Sequence, residues 1–247
     1  PTTLTLLDLA QTYSATPRPI STDGVAGSVV ISYKVGGVDV PTAPTNAGSY
    51  AVKAVAGGVT KTGTLVIAKA ALTVQPLDSR KFAGQANPSL SYTISGFFGT
   101  DNESQLTKLP VAATKATATS ADGVYPITVS GGVAANYSFN YQQGSMVVES
   151  FAGSYEALLV DASALPVGKL AITVAATNNT FTGKLYAATE TTVLALKGNL
   201  TTDTSTELGR GTASVTNVGV PYAISFAVDL AGVLTATCDR SSVAFGS

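Results

Sequence analysis

The stretch APTNAGSYAVKAVAGGVTKTGTLVIAKAALTV, from Ala43 to Val74, decides the fold of this chain. Apolar and polar residues alternate along two runs within it, and the Gly57–Gly58 pair separates the runs. Alternation with a period of two is typical of a strand that buries one face. The turn cluster PTNAG precedes the first run, and its residues favour tight turns. The stretch therefore predicts two strands joined by a turn.

The same alternation recurs over most of the chain. The clearest segments are Thr3–Leu9, Ser28–Val35, Ser49–Val55 and Thr62–Lys69. They are rich in Val, Ile, Thr and Tyr, whose branched or flat side chains fit a pleated surface. The abundance of Thr and Ser beside β-branched residues disfavours a long helix almost everywhere. The sequence therefore predicts an all-β protein.

The first 150 residues contain two related halves. The segment GSYAV, beginning at Gly48, aligns with GVYPI, beginning at Gly123. Upstream, QTYSATPRPIS aligns with RKFAGQANPSLSY, so that Tyr13 corresponds to Phe82. Downstream, TGTLVIAK aligns with QGSMVVES. Each half has the length of a small β-sandwich and exceeds a usual solenoid repeat. We therefore predict two tandem domains, residues 1–70 and 71–150.

Residues 151–247 have a different pattern and form a predicted third domain. Its candidate strands are Gly153–Asp161, Val167–Ala176, Thr180–Ala188, Thr191–Leu200, Gly209–Val218, Tyr222–Asp229 and Gly232–Arg240. Short polar turns join them, and Asn178–Asn179 is a candidate hairpin turn. The pattern predicts an antiparallel β-meander that closes into a barrel or a sandwich.

The repeated segments resemble the MBG domains, which are tandem immunoglobulin-like β-sandwiches of large bacterial surface and adhesin-type proteins. The resemblance rests on the Gly-x-Tyr pairs and on the ANY segment that ends at Tyr137, within residues 1–150. It implies extracellular display and carries over no catalytic residue. The segment VGKLAITVAATNNTFTGKLYAA is more weakly similar to β-meander repeats of bacterial surface proteins.

The motif residues have a structural interpretation. Gly48 and Gly123 precede strands at turns, so we expect positive φ angles at both. Tyr50 and Tyr125 are expected to bury their rings and to direct their hydroxyls to backbone, as in a tyrosine corner. Tyr137 is expected to begin a strand after a turn.

The composition restricts the function. Of 247 residues only 12% are charged, and the net charge is −1. The chain therefore has no electrostatic footprint for nucleic acid or anionic membranes. No apolar run reaches the ~18 residues of a membrane span, so membrane insertion is not expected. The opening at Pro1, without Met, leads us to expect a mature product or a fragment.

Few residues offer chemistry. Histidine is absent, which removes His-activated nucleophiles and His-based zinc sites. The cluster GTDNESQL carries Asp101 and Glu103, which are either calcium ligands or part of a solvated loop. Cys238, the single cysteine, is either a small strand hydrophobe or the site of an intermolecular disulfide. We expect no catalytic site and no cofactor.

Two further alternatives concern rings and lysines. Tyr155, Tyr186 and Tyr222 either form a sugar-binding platform or belong to the core or an interface. Lys53 and Lys115 lie in otherwise uncharged strands. They either point inward as candidates for a Lys–Asn isopeptide bond or point outward and guard strand edges.

The sequence as a whole predicts a non-catalytic, extracellular structural or adhesin-type segment, such as part of a stalk, surface layer or filament. Its expected partners are copies of itself or neighbouring surface-protein domains. The alternatives are a fibre subunit that assembles through edge strands, and a module that binds a glycan or a host or matrix protein.

Overall fold

Extended backbone makes up almost all of the regular structure. The computed structural model describes residues 3–160, 166–187, 193–203, 205–217 and 220–240. Within these ranges the one helical segment is a 3-10 turn at Glu103–Gln105. The prediction of an all-β protein is confirmed. Four residues at the ends of predicted strands lie outside the described residues: Asp161, Ala188, Thr191 and Val218.

A β-hairpin lies at the centre of the first predicted domain. The strands of this domain are β1 (Thr5–Leu7), β2 (Ala10–Thr12), β3 (Ser21–Asp23), β4 (Val30–Val35), β5 (Val38–Val40), β6 (Gly48–Ala56) and β7 (Val59–Ala68). One sheet has the order β2-β7-β6-β4-β5, and β1 pairs with β3. Gly57 and Gly58 join β6 to β7 with φ angles of 53° and 79°, which favour glycine at this turn.

The second predicted domain contains two parallel strand pairs as well as antiparallel ones. Its strands are β8 (Ala70–Pro76), β9 (Ser79–Phe82), β10 (Tyr92–Ser95), β11 (Leu106–Lys108), β12 (Val111–Thr114), β13 (Gly123–Ser130), β14 (Val133–Ala134), β15 (Tyr137–Tyr141) and β16 (Gly144–Glu149). Strand β8 pairs antiparallel with β10 and parallel with β15. Strand β9 pairs parallel with β16, and β11 pairs antiparallel with β14. The alternating burial of β8 places Leu72 and Val74 in the interior.

The C-terminal strands form two antiparallel meanders around one core. They are β17 (Gly153–Val160), β18 (Pro166–Val174), β19 (Thr180–Ala187), β20 (Val193–Asn199), β21 (Thr201–Asp203), β22 (Leu208–Asn217), β23 (Val220–Asp229) and β24 (Leu234–Arg240). One sheet runs β17-β18-β19-β20 and the other runs β21-β22-β23-β24. Both sheets contribute to the core, for example through Leu170 and Phe181 from the first and Ile224 and Phe226 from the second. The predicted hairpin turn joins β18 to β19, and Asn179 has a φ of 54°.

The chain divides into two compact units. The first contains Pro1–Leu77, Leu90–Ala113 and Ile127–Gly144, and the second contains Asp78–Ser89, Thr114–Pro126 and Ser145–Ser247. Segments of the second predicted domain therefore belong to both units. The predicted boundaries at residues 70 and 150 stay a prediction.

The two predicted repeats share a pairing between an early strand and the last strand. In the first, Thr12 of β2 lies opposite Ala68 of β7, and the strands are parallel. In the second, Phe82 of β9 lies opposite Glu149 of β16, again in parallel. Since Ala68 and Glu149 occupy aligned positions, Phe82 corresponds to Thr12. The sequence alignment of Tyr13 with Phe82 is therefore wrong by one residue. It matched two aromatic side chains, whereas the strand pairing places Phe82 at the position of Thr12.

Candidate functional site

The Gly-x-Tyr pairs each bring a tyrosine hydroxyl back to the backbone. Tyr50 Oη donates to the carbonyl of Asn46 at 2.9 Å, four residues earlier. Tyr125 Oη donates in the same way to the carbonyl of Ala121 at 3.0 Å. Both rings are half-buried. Each bond fixes the turn that leads into the strand, because it satisfies a carbonyl that the sheet does not use.

The two glycines of these pairs have different backbone conformations. Gly123 has a φ of 145°, whereas Gly48 has no positive φ. The expectation of a positive φ is therefore wrong for Gly48. A Cβ at Gly48 would lie 3.1 Å from Tyr50 Oη and 3.3 Å from two of its ring carbons. Glycine is needed at this position because the ring lies directly over the backbone.

A third pair lies at the start of the C-terminal meander. Tyr155 Oη donates to the carbonyl of Phe151 at 2.8 Å. A Cβ at Gly153 would lie 3.0 Å from Tyr155 Oη. Sequence reasoning missed this pair. The signal was present, because AGSY occurs identically at Ala47–Tyr50 and at Ala152–Tyr155.

Asp101 joins two tyrosines in the first compact unit. Tyr13 Oη and Tyr137 Oη each donate to Asp101 Oδ2 at 2.7 Å. The two tyrosine rings are buried and meet edge to face, with their centroids 5.2 Å apart. The backbone N–H of Phe98 donates to Tyr137 Oη at 3.0 Å. This Tyr13–Asp101–Tyr137 cluster connects the first predicted domain to the second.

Burial and the carboxylate change the acidity of both phenols. Burial, followed by the hydrogen bond to Asp101, raises the pKa of Tyr137 to about 12. The same two causes, in the same order, raise the pKa of Tyr13. Both hydroxyls therefore stay protonated at neutral pH and act as donors to the carboxylate.

The two candidate calcium ligands have different surroundings. Asp101 is half-buried and uses Oδ2 to accept both tyrosine hydroxyls. Glu103 is exposed in the 3-10 turn. No group of three or more His, Cys, Asp or Glu side chains that could hold a metal occurs in the described part of the chain. The calcium interpretation of Asp101 and Glu103 stays a prediction.

A single residue, Lys69, links the last strand of the first predicted domain to β8. Its Nζ donates to the carbonyl of Ala134 at 2.7 Å. Asn136 binds the first domain twice, because its Oδ1 accepts from the N–H of Ala47 at 2.9 Å and its Nδ2 donates to Asn46 Oδ1 at 3.0 Å. These bonds hold both sides of the linker together.

A second set of contacts joins β9 and its loop to the meander core, within the second compact unit. The rings of Phe82 and Phe151 lie 4.9 Å apart, and both belong to the core. Gln85 Nε2 donates to Thr202 Oγ1 at 2.8 Å. The buried side chain of Asn179 donates to the carbonyl of Ala83. This set therefore combines one contact between aromatic rings with two side-chain hydrogen bonds.

Sequence reasoning did not identify Lys81, which is the buried lysine in the described part of the chain. Lys53 and Lys115 are both exposed, so the outward-facing alternative holds for both. Lys81 is 2% exposed, and its Nζ donates to the carbonyls of Gln85 and Thr117. Burial lowers the pKa of this amine. The ammonium holds together the two loops that supply the carbonyls.

Of the two alternatives for Tyr155, Tyr186 and Tyr222, the sugar-binding platform does not form. Tyr222 is 4% exposed and lies in the meander core. Tyr155 is half-buried and bonded to backbone, whereas Tyr186 is 40% exposed. The platform interpretation of the three rings is therefore wrong, because Tyr222 has the inward phase of its strand. Cys238 is half-buried on β24 and packs against the same core.

The comparisons with known proteins identify one domain. Residues 72–147 match the family described as the MBG domain, YGX type. No curated protein and no solved structure matches the chain. MBG domains are found in surface and adhesin-like proteins. The all-β fold and the MBG match of this chain are consistent in general with a protein of that kind. None of the helical residues that the structure describes forms a segment long and apolar enough to cross a membrane.

Proposed function

We propose, from the premise that residues 72–147 are an MBG domain, that the chain is a non-catalytic, tension-bearing segment of an extracellular bacterial surface protein. It would serve as part of a stalk, surface layer or filament. The observation that carries this proposal is the parallel pairing of early strands with late strands, β2 with β7 and β9 with β16.

Parallel pairing at the ends of a domain resists stretching. When the chain is pulled from both ends, the early strand is drawn toward its N-terminus and the late strand toward its C-terminus. In a parallel pair these directions are opposite along one axis, so the force shears the ladder and loads its hydrogen bonds together. The bond from Tyr13 N to Ala68 O, at 2.9 Å, and the bond from Val66 N to Leu9 O, at 2.7 Å, would bear such a load in the first domain.

The short linker supports the same role. Only Lys69 separates β7 from β8, and a linker of this length leaves little room for independent motion of the strands that it joins. The Tyr13–Asp101–Tyr137 cluster and the bonds of Asn136 add contacts beside it. A surface segment that holds a neighbouring domain at a distance from the cell would benefit from the short linker and from the contacts beside it.

Single-molecule pulling tests the proposal through the direction of force. The full chain, with Cys238 replaced by alanine, is stretched either through its two termini or through cysteines placed at Ser49 and Val66. Ser49 and Val66 are opposite each other in the antiparallel β6–β7 pair, so that geometry unzips the ladder one pair at a time. We expect a higher unfolding force through the termini. Equal forces in the two geometries would contradict the proposal.

A further inference from the structure

The outward face of the β17-β18-β19-β20 sheet carries a diagonal row of lysines. Lys169 of β18 lies opposite Tyr186, and Lys184 is two residues before Tyr186 on β19. Lys184 in turn lies opposite Ala195, and Lys197 is two residues beyond Ala195 on β20. Diagonal neighbours in a sheet are about 7–8 Å apart. The three lysines therefore occupy one diagonal across three strands.

This lysine row gives the face a positive charge, although the whole chain is slightly negative. All three lysines are exposed. Glu156 is the one acidic side chain among the described outward residues of this sheet, and it pairs with Lys169 at 2.7 Å. Neither Lys184 nor Lys197 has an ion pair within the described residues. Two of the three cations are therefore available to an anionic partner.

A shallow depression of about 370 Å³ lies beside the lysine row. The hydroxyls of Ser154, Thr173 and Thr182 line it together with Lys184 and with Glu156, whose carboxylate is paired with Lys169. Gly183 and Ala171 also line it, and a Cβ at Gly183 would lie 2.7 Å from the carbonyl of Ala171. Exposed hydroxyls in a depression provide donors and acceptors for a polyhydroxyl ligand.

An aromatic ring completes the face. Tyr186 is exposed, and Lys169 Nζ lies 5.9 Å from the centroid of its ring. Leu158 and Val193 are exposed in the same cross-strand row. The ring lies between Lys169 and Val193. A flat ring beside an apolar side chain fits the apolar side of a sugar, and the neighbouring amine fits an acidic group on that sugar.

We propose that this face binds an acidic polysaccharide, with the lysine row following its charged groups and Tyr186 packing against one sugar ring. A linear polyanion matches a line of cations better than a single small anion does. The hydroxyl-lined depression favours a glycan over an acidic peptide. This binding site goes beyond the tension-bearing role, because it uses the exposed face of the meander and none of the parallel strand pairs.

The test measures binding of the full chain to immobilised alginate by surface plasmon resonance, at low and at high salt. Replacing Lys169, Lys184 and Lys197 together with glutamine is expected to weaken binding about tenfold or more. The matched control replaces Lys53, Lys61 and Lys115, which are exposed elsewhere and change the net charge equally. That control is expected to stay within about twofold, since long-range charge effects are screened over about 8 Å at physiological salt.

Further arms separate a glycan site from a general attraction to anions. Replacing Tyr186 with alanine is expected to weaken alginate binding about threefold and to leave binding of polyglutamate unchanged. Neutral dextran should not bind. The proposal is overturned if wild-type protein does not bind alginate, if both lysine triples lose binding equally, or if polyglutamate or duplex DNA binds as well as alginate. Circular dichroism of each variant confirms that it is folded.

Discussion

Replacing Asp101 with alanine lowers the free energy of unfolding by about 2–5 kcal/mol. The carboxylate accepts from Tyr13 Oη and Tyr137 Oη, both at 2.7 Å, and both tyrosines are buried. The substitution removes the acceptor and leaves two phenol donors away from water, and an unsatisfied buried donor costs more than a lost hydrogen bond. Chemical denaturation, followed by tyrosine fluorescence, measures the change.

Glu103→Ala is the matched control for this variant. Glu103 is an exposed carboxylate two residues away and forms no part of the cluster, so its loss should cost less than about 0.5 kcal/mol. The double variant Tyr13→Phe/Tyr137→Phe removes the two donors instead. In that background, Asp101→Ala should lower the free energy of unfolding by less than it does in the wild type. An Asp101→Ala loss no greater than the Glu103→Ala loss would show that the cluster does not stabilise the fold.

The fall in the free energy of unfolding at alkaline pH depends on the same cluster. The folded pKa of Tyr137 is about 12, above its unfolded value near 10, so the folded state holds the proton more tightly. Its contribution is fully present below the unfolded pKa and is lost as pH rises from about 10 toward 12. Asp101→Ala removes one cause of the raised pKa, so its alkaline decline should be shallower than that of the wild type.

Replacing Phe151 with alanine costs about 3–5 kcal/mol. Phe151 is 1% exposed, and its ring lies 4.9 Å from that of Phe82. Gly209 lies under the ring, since a Cβ there would be 2.9 Å from Phe151 Cδ2. Removing the ring opens a cavity at the point where β9 and the meander share one core, and the surrounding strands cannot collapse to fill it.

Phe98→Ala is the matched control, because the same ring is removed from a side chain that is 42% exposed. Its loss should cost less than about 1 kcal/mol. Thermal unfolding of both variants, measured by calorimetry, gives the comparison. Equal shifts in the two melting temperatures would mean that Phe151 is not part of a closely packed core.

The period-two pattern predicted the strands because it depends only on local burial. The predicted Ser49–Val55 lies within β6, and the predicted Thr62–Lys69 lies within β7 except for its last residue, Lys69. The phase of the same pattern also indicates that Tyr222 faces inward, a signal that the sequence-based interpretation of the ring did not use. Tyr222, Ile224 and Phe226 alternate with polar or small residues on β23 and are buried together.

The Tyr13–Asp101–Tyr137 cluster could not be predicted in this way. Asp101 is 88 residues from Tyr13 and 36 from Tyr137, and no local period connects them. Its carboxylate in an acidic loop is compatible with a calcium ligand or with a solvated group. Lys81 was missed for a related reason, since it follows Arg80 in a short strand and the carbonyls that it binds come from loops.

The coupling of the first domain to the MBG segment is tested most directly by a distance measurement between spin labels. Cysteines replace Lys61 and Thr107, which are both exposed, in a Cys238→Ala background, and each cysteine carries a spin label. Pulsed electron paramagnetic resonance then gives the distribution of distances between the two labels. We expect one narrow distribution, which broadens when a Gly-Ser spacer is inserted after Lys69 and Asp101 is replaced with alanine. A broad distribution in the protein without the spacer would contradict the account.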